Sequence, residues 1–260
     1  MPTIDIDGEQ FDYTDTGNGV AVVFLAGLCG SKDWFCYQSA GLGDRFRVIA
    51  TCLRPAGNTA YTLDSLVRDV ARFLERLRVH NAVIAGHSLG GMVALSFALA
   101  YADRCLAVVL SSTAPTYGSV SEDQLVSDLM VGKLRPGGFL ARLGRRLFGS
   151  DRPKEDLSDP LAYLASHNGG IDRATLQARL RLMRETDLTE RLGEVSLPVL
   201  IVAGAQEQPY ALAGSQALDQ GLPDSSLEII EGADQFHFFF AHDQFNEAVA
   251  DFLLHKVTRP

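Results

Sequence analysis

The sequence predicts an α/β protein with a doubly wound, mostly parallel sheet and a helical cap inserted after the sixth strand. Two observations support this prediction. Apolar stretches of strand length alternate along the chain with segments of helical periodicity, a pattern typical of parallel sheets covered by helices on both faces. The alternation stops over residues 115–195, where the chain has no convincing strand pattern.

The strands are predicted from runs rich in Val, Ile and Leu, which suit strands buried on both faces. These runs cover residues 19–27, 45–52, 82–86, 105–112, 198–204 and 226–232. Two shorter segments flank Asp7–Gly8, a dipeptide typical of tight turns, so an antiparallel hairpin is expected at the sheet edge. Residues 62–77 repeat apolar side chains every three or four positions, and residues 91–102 are apolar nearly all round. These patterns predict an amphipathic helix and a central buried helix.

The chain is predicted to divide into a core and a cap. Residues 1–114 and 196–260 form the core that contains the sheet, and residues 115–195 form the cap. Within the cap, short helical patterns are interrupted by clusters of Gly and Pro, which end helices. We expect the cap to cover the carboxyl ends of the strands.

Composition and charge exclude several classes of partner. The 260-residue chain carries a net charge of −9, which argues against nucleic acid as a partner because phosphate contacts need a basic surface. The sequence has no apolar run of the roughly 20 residues that span a bilayer, and its first residues lack a secretory signal pattern. Its four cysteines show no zinc-ligand spacing. We therefore expect a cytoplasmic protein that acts on a small molecule without a metal or organic cofactor.

The strongest functional signal is the sequence VIAGHSLGGMVAL at residues 83–95. It places G-x-S-x-G between a predicted strand and a predicted helix, the context in which this motif forms a strained turn that exposes its serine. Gly86 and Gly90 remove side chains that would clash in such a turn. Ser88 then lies at a helix N-terminus, where backbone N–H groups stabilise developing negative charge.

This motif and three further segments make the chain similar to the α/β-hydrolase fold superfamily, in the branch with a helical cap and a GHSLGG turn. Residues 22–35 resemble the oxyanion loop of that family. Residues 188–208 resemble the end of the cap and the strand that carries the acid, and residues 229–253 resemble the last strand, the histidine loop and the closing helix. The resemblance covers most of the chain and implies the order nucleophile, acid, histidine.

The resemblance also implies an oxyanion hole formed by the main-chain N–H groups of Leu28 and Leu89. The family's oxyanion loop begins with His-Gly, whereas this chain has Ala26-Gly27. Because the donor is the backbone N–H of the following residue, we expect the hole to be retained. The expected neighbours of the substrate are Ala26, Gly27, Cys29 and His87.

The other two members of the expected triad depart from the family pattern. Glu207 stands at the position of the acid, and glutamate also occurs there in related triads. Gln235 stands where the family has its catalytic histidine, and a neutral amide neither takes nor returns a proton near pH 7. His237 is the candidate replacement, with packing among the neighbouring phenylalanines as the alternative. Gln235 could instead copy the triad's hydrogen bonds to Glu207 and Ser88 without transferring a proton.

Three classes of function are compatible with these residues. The favoured one is cofactor-independent cleavage of an ester, thioester, lactone or C–C bond in a small apolar carbonyl compound, by a serine hydrolase with an atypical triad. The second is a non-hydrolytic lyase, epimerase, cyclase or cofactor-free oxygenase reaction in which the oxyanion hole stabilises an enolate-like intermediate. The third is a ligand-binding sensor with little or no turnover.

Overall fold

The computed structural model of the protein describes residues 2–57, 60–129, 163–164, 166–167 and 171–258. The central part of the predicted cap, residues 130–162, lies outside these ranges. No helix in the described ranges combines the length and the apolar character needed to cross a bilayer.

Within the described residues, eight strands form one mostly parallel sheet in the order β1-β2-β4-β3-β5-β6-β7-β8. The strands are β1 (Thr3–Ile6), β2 (Glu9–Thr16), β3 (Ala21–Leu25), β4 (Arg47–Thr51), β5 (Ala82–His87), β6 (Cys105–Ser111), β7 (Val199–Gly204) and β8 (Ser225–Ile230). β1 and β2 form the antiparallel hairpin predicted around Asp7–Gly8, and β2 pairs antiparallel with β4. The pairs from β4 to β8 are all parallel. The predicted fold class is confirmed.

Helices flank this sheet and follow its strands along the chain. The described helices are α1 (Cys36–Leu42), α2 (Leu63–Arg76), α3 (Leu89–Ala100), α4 (Glu122–Leu129), α5 (Arg173–Glu185), α6 (Pro209–Gly221), α7 (His237–Phe240) and α8 (His242–Lys256). Short 3₁₀ helices cover Lys32–Phe35, Ala102–Arg104 and Thr189–Glu194. Two helices, α4 and α5, belong to the segment predicted as the cap.

Helices α2 and α3 have the characters that their sequences predict. A capping box starts α2, in which the Thr62 side chain accepts from the Ser65 N–H and the Ser65 side chain accepts from the Thr62 N–H. One face of α2 is buried by its apolar residues. Helix α3 is buried over nearly its whole length, as expected of a helix that packs between the sheet and a second helix.

The order of the strands brings six loops to one end of the sheet. The parallel strands β3, β4, β5, β6, β7 and β8 all end there, because parallel strands present their carboxyl ends on the same side. The loops that follow them contain the sequence-predicted site residues. The topology therefore places residues that are far apart in the chain around the end of the central strand β5.

The cap segment leaves and rejoins the core at neighbouring points. Thr116 and Asp187 form an antiparallel bridge, and the Leu188 N–H donates to the Pro115 carbonyl at 3.0 Å. The Thr116 hydroxyl also donates to the Thr186 carbonyl at 3.0 Å. These bonds fix the base of the cap beside the ends of β6 and β7.

Candidate active site

Ser88 occupies a strained turn between β5 and α3. Its backbone angles are φ 54° and ψ −118°, a conformation that non-glycine residues rarely adopt and that costs about 1–3 kcal/mol. The turn is held from both sides, because the Ser88 N–H donates to the Ser111 carbonyl at 2.9 Å and the Thr113 hydroxyl donates to the Ser88 carbonyl at 2.7 Å. Ser88 is half-buried. Its hydroxyl-bearing side chain is thus fixed at the first turn of α3.

Two glycines allow the loop after β3 to contact this turn. A Cβ atom on Gly90 would lie 2.2 Å from the Leu25 carbonyl oxygen. A Cβ atom on Gly27 would lie 2.9 Å from the His87 carbonyl oxygen and 3.1 Å from the Ser88 Cβ. Both distances to main-chain oxygen are too short for any side chain, so this close approach requires glycine at both positions.

The main-chain N–H groups of Leu28 and Leu89 lie on the two segments that meet here. Neither N–H donates to another described residue. Leu89 begins α3, and the first N–H groups of a helix have no partner inside the helix. Two such donors beside the half-buried Ser88 hydroxyl can stabilise a negatively charged oxygen.

Glu207 lies just beyond β7 and has a completely buried side chain. Its Oε1 accepts from the Gly204 N–H and from the Ser112 hydroxyl, both at 2.7 Å. Its Oε2 has no hydrogen-bond partner among the described residues. The carboxylate is therefore held by hydrogen bonds to Oε1, and Oε2 can accept a further hydrogen bond.

His237 begins α7 and is fully buried. Its Nδ1 lies 3.1 Å from the Asp234 carbonyl oxygen and 3.4 Å from Glu207 Oε1. Its Nε2 lies 3.0 Å from the Ser111 hydroxyl. Among the hydrogen bonds of the described residues, neither ring nitrogen contacts Ser88. This geometry favours the packing alternative, and a catalytic role for His237 stays a prediction.

Gln235 is half-buried and is joined to the acid through its main chain. The Ser112 hydroxyl lies 3.1 Å from the Gln235 carbonyl oxygen and 2.7 Å from Glu207 Oε1. Ser112 itself has φ 46°, a second strained position next to the site. Ser112 thus links the loop that carries Gln235 to the acid, and the Gln206 N–H donates to the Ala233 carbonyl of the same loop at 2.8 Å.

His87 has a buried imidazole that packs against aromatic rings. Its ring centroid lies 4.7 Å from that of Phe238 and 6.0 Å from that of Phe236. Burial, and secondarily the charge of His237, lowers the pKa of His87 to about 3, so the ring is neutral at pH 7. These contacts place it in the core, and its predicted contact with substrate stays a prediction.

The remaining residues of the predicted site lie in the loop after β3. Ala26 is fully buried, and its N–H donates to the Thr51 carbonyl at 3.3 Å. Cys29 is half-buried, and its burial raises the pKa of the thiol despite the nearby charge of Arg179. A raised pKa disfavours the thiolate that a cysteine nucleophile needs. The structure describes no cluster of three metal-ligating side chains.

Tyr117 and Arg179 lie at the site although the sequence analysis did not single them out. Tyr117 is buried, and its hydroxyl interacts with the side chains of Thr113 and Ser88. Burial raises the pKa of Tyr117 to about 12, so this group is a hydrogen-bond donor and not a base at neutral pH. Both residues come from the cap segment, whose sequence carries no motif that could have identified them.

Comparison with known proteins agrees with this architecture. A sequence model of the family described as alpha/beta hydrolase fold matches residues 20–241. A Bacillus subtilis (strain 168) protein, provisionally named 2-succinyl-6-hydroxy-2,4-cyclohexadiene-1-carboxylate synthase, is 28% identical over 97% of this chain and 99% of its own length. A Caulobacter sp. (strain K31) protein, provisionally named carbamate hydrolase RutD, is 28% identical over 89% of this chain and 90% of its own length.

A solved structure shows the same arrangement of elements. The enol-lactonase from Burkholderia xenovorans LB400 superposes with a TM-score of 0.77 at 22% sequence identity. The match covers 97% of this chain and 100% of the lactonase. At this level of identity, the likeness concerns the fold.

Proposed function

The chain belongs to the α/β-hydrolase fold family, and on that premise we propose that it cleaves a small apolar carbonyl compound through Ser88 without a metal or organic cofactor. The bond cleaved is an ester, thioester, lactone or activated C–C bond. The observation that carries this proposal is the strained, half-buried Ser88 beside two main-chain N–H groups that have no acceptor among the described residues. A protein maintains such strain where the position has a function.

In the proposed reaction, the Ser88 hydroxyl attacks the carbonyl carbon and loses its proton to a water molecule, while the Leu28 and Leu89 N–H groups hold the resulting oxyanion. Collapse of the oxyanion breaks the bond to the leaving group, which takes up a proton from water. A further water molecule then hydrolyses the acyl-enzyme and releases Ser88. The weak point is the proton of Ser88, because Gln235 cannot accept it and His237 donates and accepts elsewhere. Triads without a working base retain about 10³–10⁴-fold acceleration over water, which corresponds to about 4–5.5 kcal/mol of barrier. We therefore expect slow turnover of ordinary esters and faster turnover of activated ones.

A second candidate is a non-hydrolytic reaction through an enolate-like intermediate. The absence of an imidazole hydrogen bond to Ser88 among the described residues favours it, since such a reaction uses Ser88 as a donor and needs no nucleophile. The provisional name of the Bacillus subtilis relative, a synthase, points in the same direction.

Labelling with an alkyl fluorophosphonate tests the proposal. The protein as it stands should be labelled on Ser88, located by mass spectrometry of the modified peptide, and the Ser88→Ala variant should not be labelled. Absence of labelling together with turnover of an enolisable ketone would support the second candidate. Absence of labelling with tight binding and no turnover would indicate a ligand sensor and would contradict both enzymatic proposals.

A further inference from the structure

Arg179 is a cation buried inside the protein without an anionic partner among the described residues. It lies on the cap helix α5 and is 1% exposed. The other buried cationic side chains, Lys32 and Arg54, each pair with an aspartate at 2.7 Å. Since burying a charge is unfavourable unless its donors are satisfied, the position of Arg179 calls for a physical explanation.

The donors of Arg179 are directed at main-chain carbonyls and one phenol. Nη1 donates to the Leu28 carbonyl at 2.6 Å. Nη2 donates to the Leu53 carbonyl at 2.6 Å and to the Arg54 carbonyl at 3.2 Å. Nε donates to the Tyr61 hydroxyl at 2.9 Å. The rigid, planar guanidinium thus joins the loops that follow β3 and β4, which a flexible ammonium group could not do with the same geometry.

One of these acceptors belongs to the residue whose N–H is the proposed oxyanion donor. The turn that contains Leu28 is closed on one side by the Gly30 N–H, which donates to the Gly27 carbonyl at 3.3 Å. On the other side, Arg179 holds the Leu28 carbonyl. Both peptide groups next to Leu28 are therefore fixed, and with them the direction of the Leu28 N–H.

The cap also contacts the same loop farther along. The Ser31 hydroxyl donates to the His167 carbonyl, and the Trp34 indole N–H donates to the Leu164 carbonyl at 3.2 Å. On α5 itself, the Thr175 hydroxyl oxygen accepts from the Ala56 N–H at 2.9 Å. The cap is thus bonded to the loop after β3 beyond the glycine turn and to the loop after β4. Among the described hydrogen bonds, the one that joins the cap to Leu28 comes from Arg179.

We propose that Arg179 is a positioning residue that couples the cap to the oxyanion hole. Its guanidinium fixes the peptide group that follows Leu28, and this restricts the backbone rotation that would turn the Leu28 N–H away from the substrate oxygen. This inference rests on the proposed function, since it assigns Arg179 a part in the same reaction. Arg179 acts through Leu28 and does not contact the reacting atoms. Displacement of α5 from the core would therefore disable the hole without altering Ser88.

Kinetics of fluorophosphonate labelling separate positioning from binding. The maximal labelling rate constant reports stabilisation of the oxyanion, and the half-saturating probe concentration reports binding. In Arg179→Met, the rate constant should fall about 100-fold, as for a displacement of about 1 Å of a reacting group, whereas half-saturation should change by less than about threefold. The labelling rate constant of Arg179→Lys should lie between those of Arg179→Met and the unmodified protein.

The matched control is Arg181→Met, which removes an exposed arginine of the same helix. It should label like the unmodified protein. In an Arg179→Ala variant, millimolar guanidinium should restore labelling, whereas equal concentrations of urea or sodium chloride should not. Equal labelling rate constants for the Arg179 and Arg181 variants would overturn the proposal. A change in the half-saturating probe concentration without a change in the rate constant would also overturn it.

Hydrogen exchange of the folded variants distinguishes failure of the positioning role of Arg179 from failure of the proposed function. Peptides covering residues 26–31 should exchange faster in Arg179→Met and Arg179→Lys than in Arg181→Met, while peptides from β5 and α3 keep their protection. If the unmodified protein resists labelling, the proposed function fails. Unchanged exchange over residues 26–31 would then overturn the coupling role separately.

Discussion

The two sides of Ser88 differ in what they are made of. The oxyanion side, residues 26–28, meets Ser88 through main-chain groups, and the glycine that permits the contact is in place. The predicted acid side, formed by Glu207, Gln235 and His237, depends on side chains, and there the resemblance to the family predicts a histidine where this chain has Gln235. We expect the oxyanion side to tolerate Ala26 where the family has a histidine, because backbone donors do not depend on the side chain. The acid side is not expected to tolerate substitution in the same way, because only particular side chains can accept a proton.

The buried hydrogen bonds on the two sides of Ser88 also differ. On the oxyanion side, the described hydrogen bonds of Arg179 go to three main-chain carbonyls and one tyrosine hydroxyl, all of them neutral groups. On the acid side, Glu207 keeps one oxygen without a partner among the described residues, while His237 lies against the other oxygen and faces Ser111. Among the described hydrogen bonds, no imidazole connects Glu207 to Ser88.

The largest effect is expected from restoring that imidazole. Gln235→His should raise the rate of hydrolysis of an activated ester by about 1,000-fold, a part of the roughly million-fold contribution of a complete triad. The physical reason is that a histidine at this position can donate to the free Glu207 Oε2 and accept the Ser88 proton. Initial rates with a p-nitrophenyl ester measure the effect.

Two controls define the result. Gln235→Asn keeps a neutral amide and should show no gain. Adding Glu207→Gln to Gln235→His should remove most of the gain, because the amide cannot stabilise the imidazolium. A Gln235→His variant that folds normally and gains nothing would show that the acid side is not arranged around Ser88, and the hydrolase proposal would then lose its main support.

A smaller effect concerns stability in acid. The pKa of His87 in the folded protein is about 3, below its usual value of 6.5, so the unfolded chain binds a proton that the folded protein does not. Stability from neutral His87 is fully present above about pH 6.5 and is lost as the pH falls toward 3. Between pH 7 and pH 5, this residue should lower the free energy of unfolding by about 2 kcal/mol.

Urea unfolding at pH 7 and pH 5 measures this loss. His87→Gln should show a smaller decrease between the two pH values than the unmodified protein. His80→Gln, which changes an exposed histidine, should keep the full decrease. Equal pH dependence in all three proteins would mean that His87 titrates normally and is more open to solvent than its packing indicates.

The smallest expected effect is the difference in stability between two variants of Ser112. Ser112→Ala removes the hydroxyl that donates to Glu207 and should reduce the free energy of unfolding by about 1–3 kcal/mol. Ser112→Gly removes the same donor but relieves the strain of φ 46°, so it should be about 1 kcal/mol more stable than the alanine variant. Chemical denaturation of the pair checks this order. If alanine were the more stable of the two, the strain would be negligible.

The sequence predicted the fold and part of the site for identifiable reasons. Continuous apolar strands and periodic helices appear in any window of the sequence, so the parallel sheet and its edge hairpin were predicted correctly. The Ser88 motif was visible because its glycines and serine are adjacent in the chain. The positions of Glu207 and Gln235 came from the resemblance to the family. The structure places Glu207 in a buried hydrogen-bond network and Gln235 on the loop joined to it, and their chemical roles stay predictions.

The amino-acid sequence specifies which chemical groups are available: a serine in a glycine turn, a carboxylate, and an amide where an imidazole is expected. The directions in which these groups point depend on the packing of the elements. His237 is two residues from the expected position, but the start of α7 turns its ring toward Ser111. Arg179 is one arginine among many in the cap sequence, yet packing of α5 places its guanidinium on the Leu28 carbonyl. Local patterns cannot reveal such contacts, because they join residues more than 100 positions apart and depend on how the elements pack.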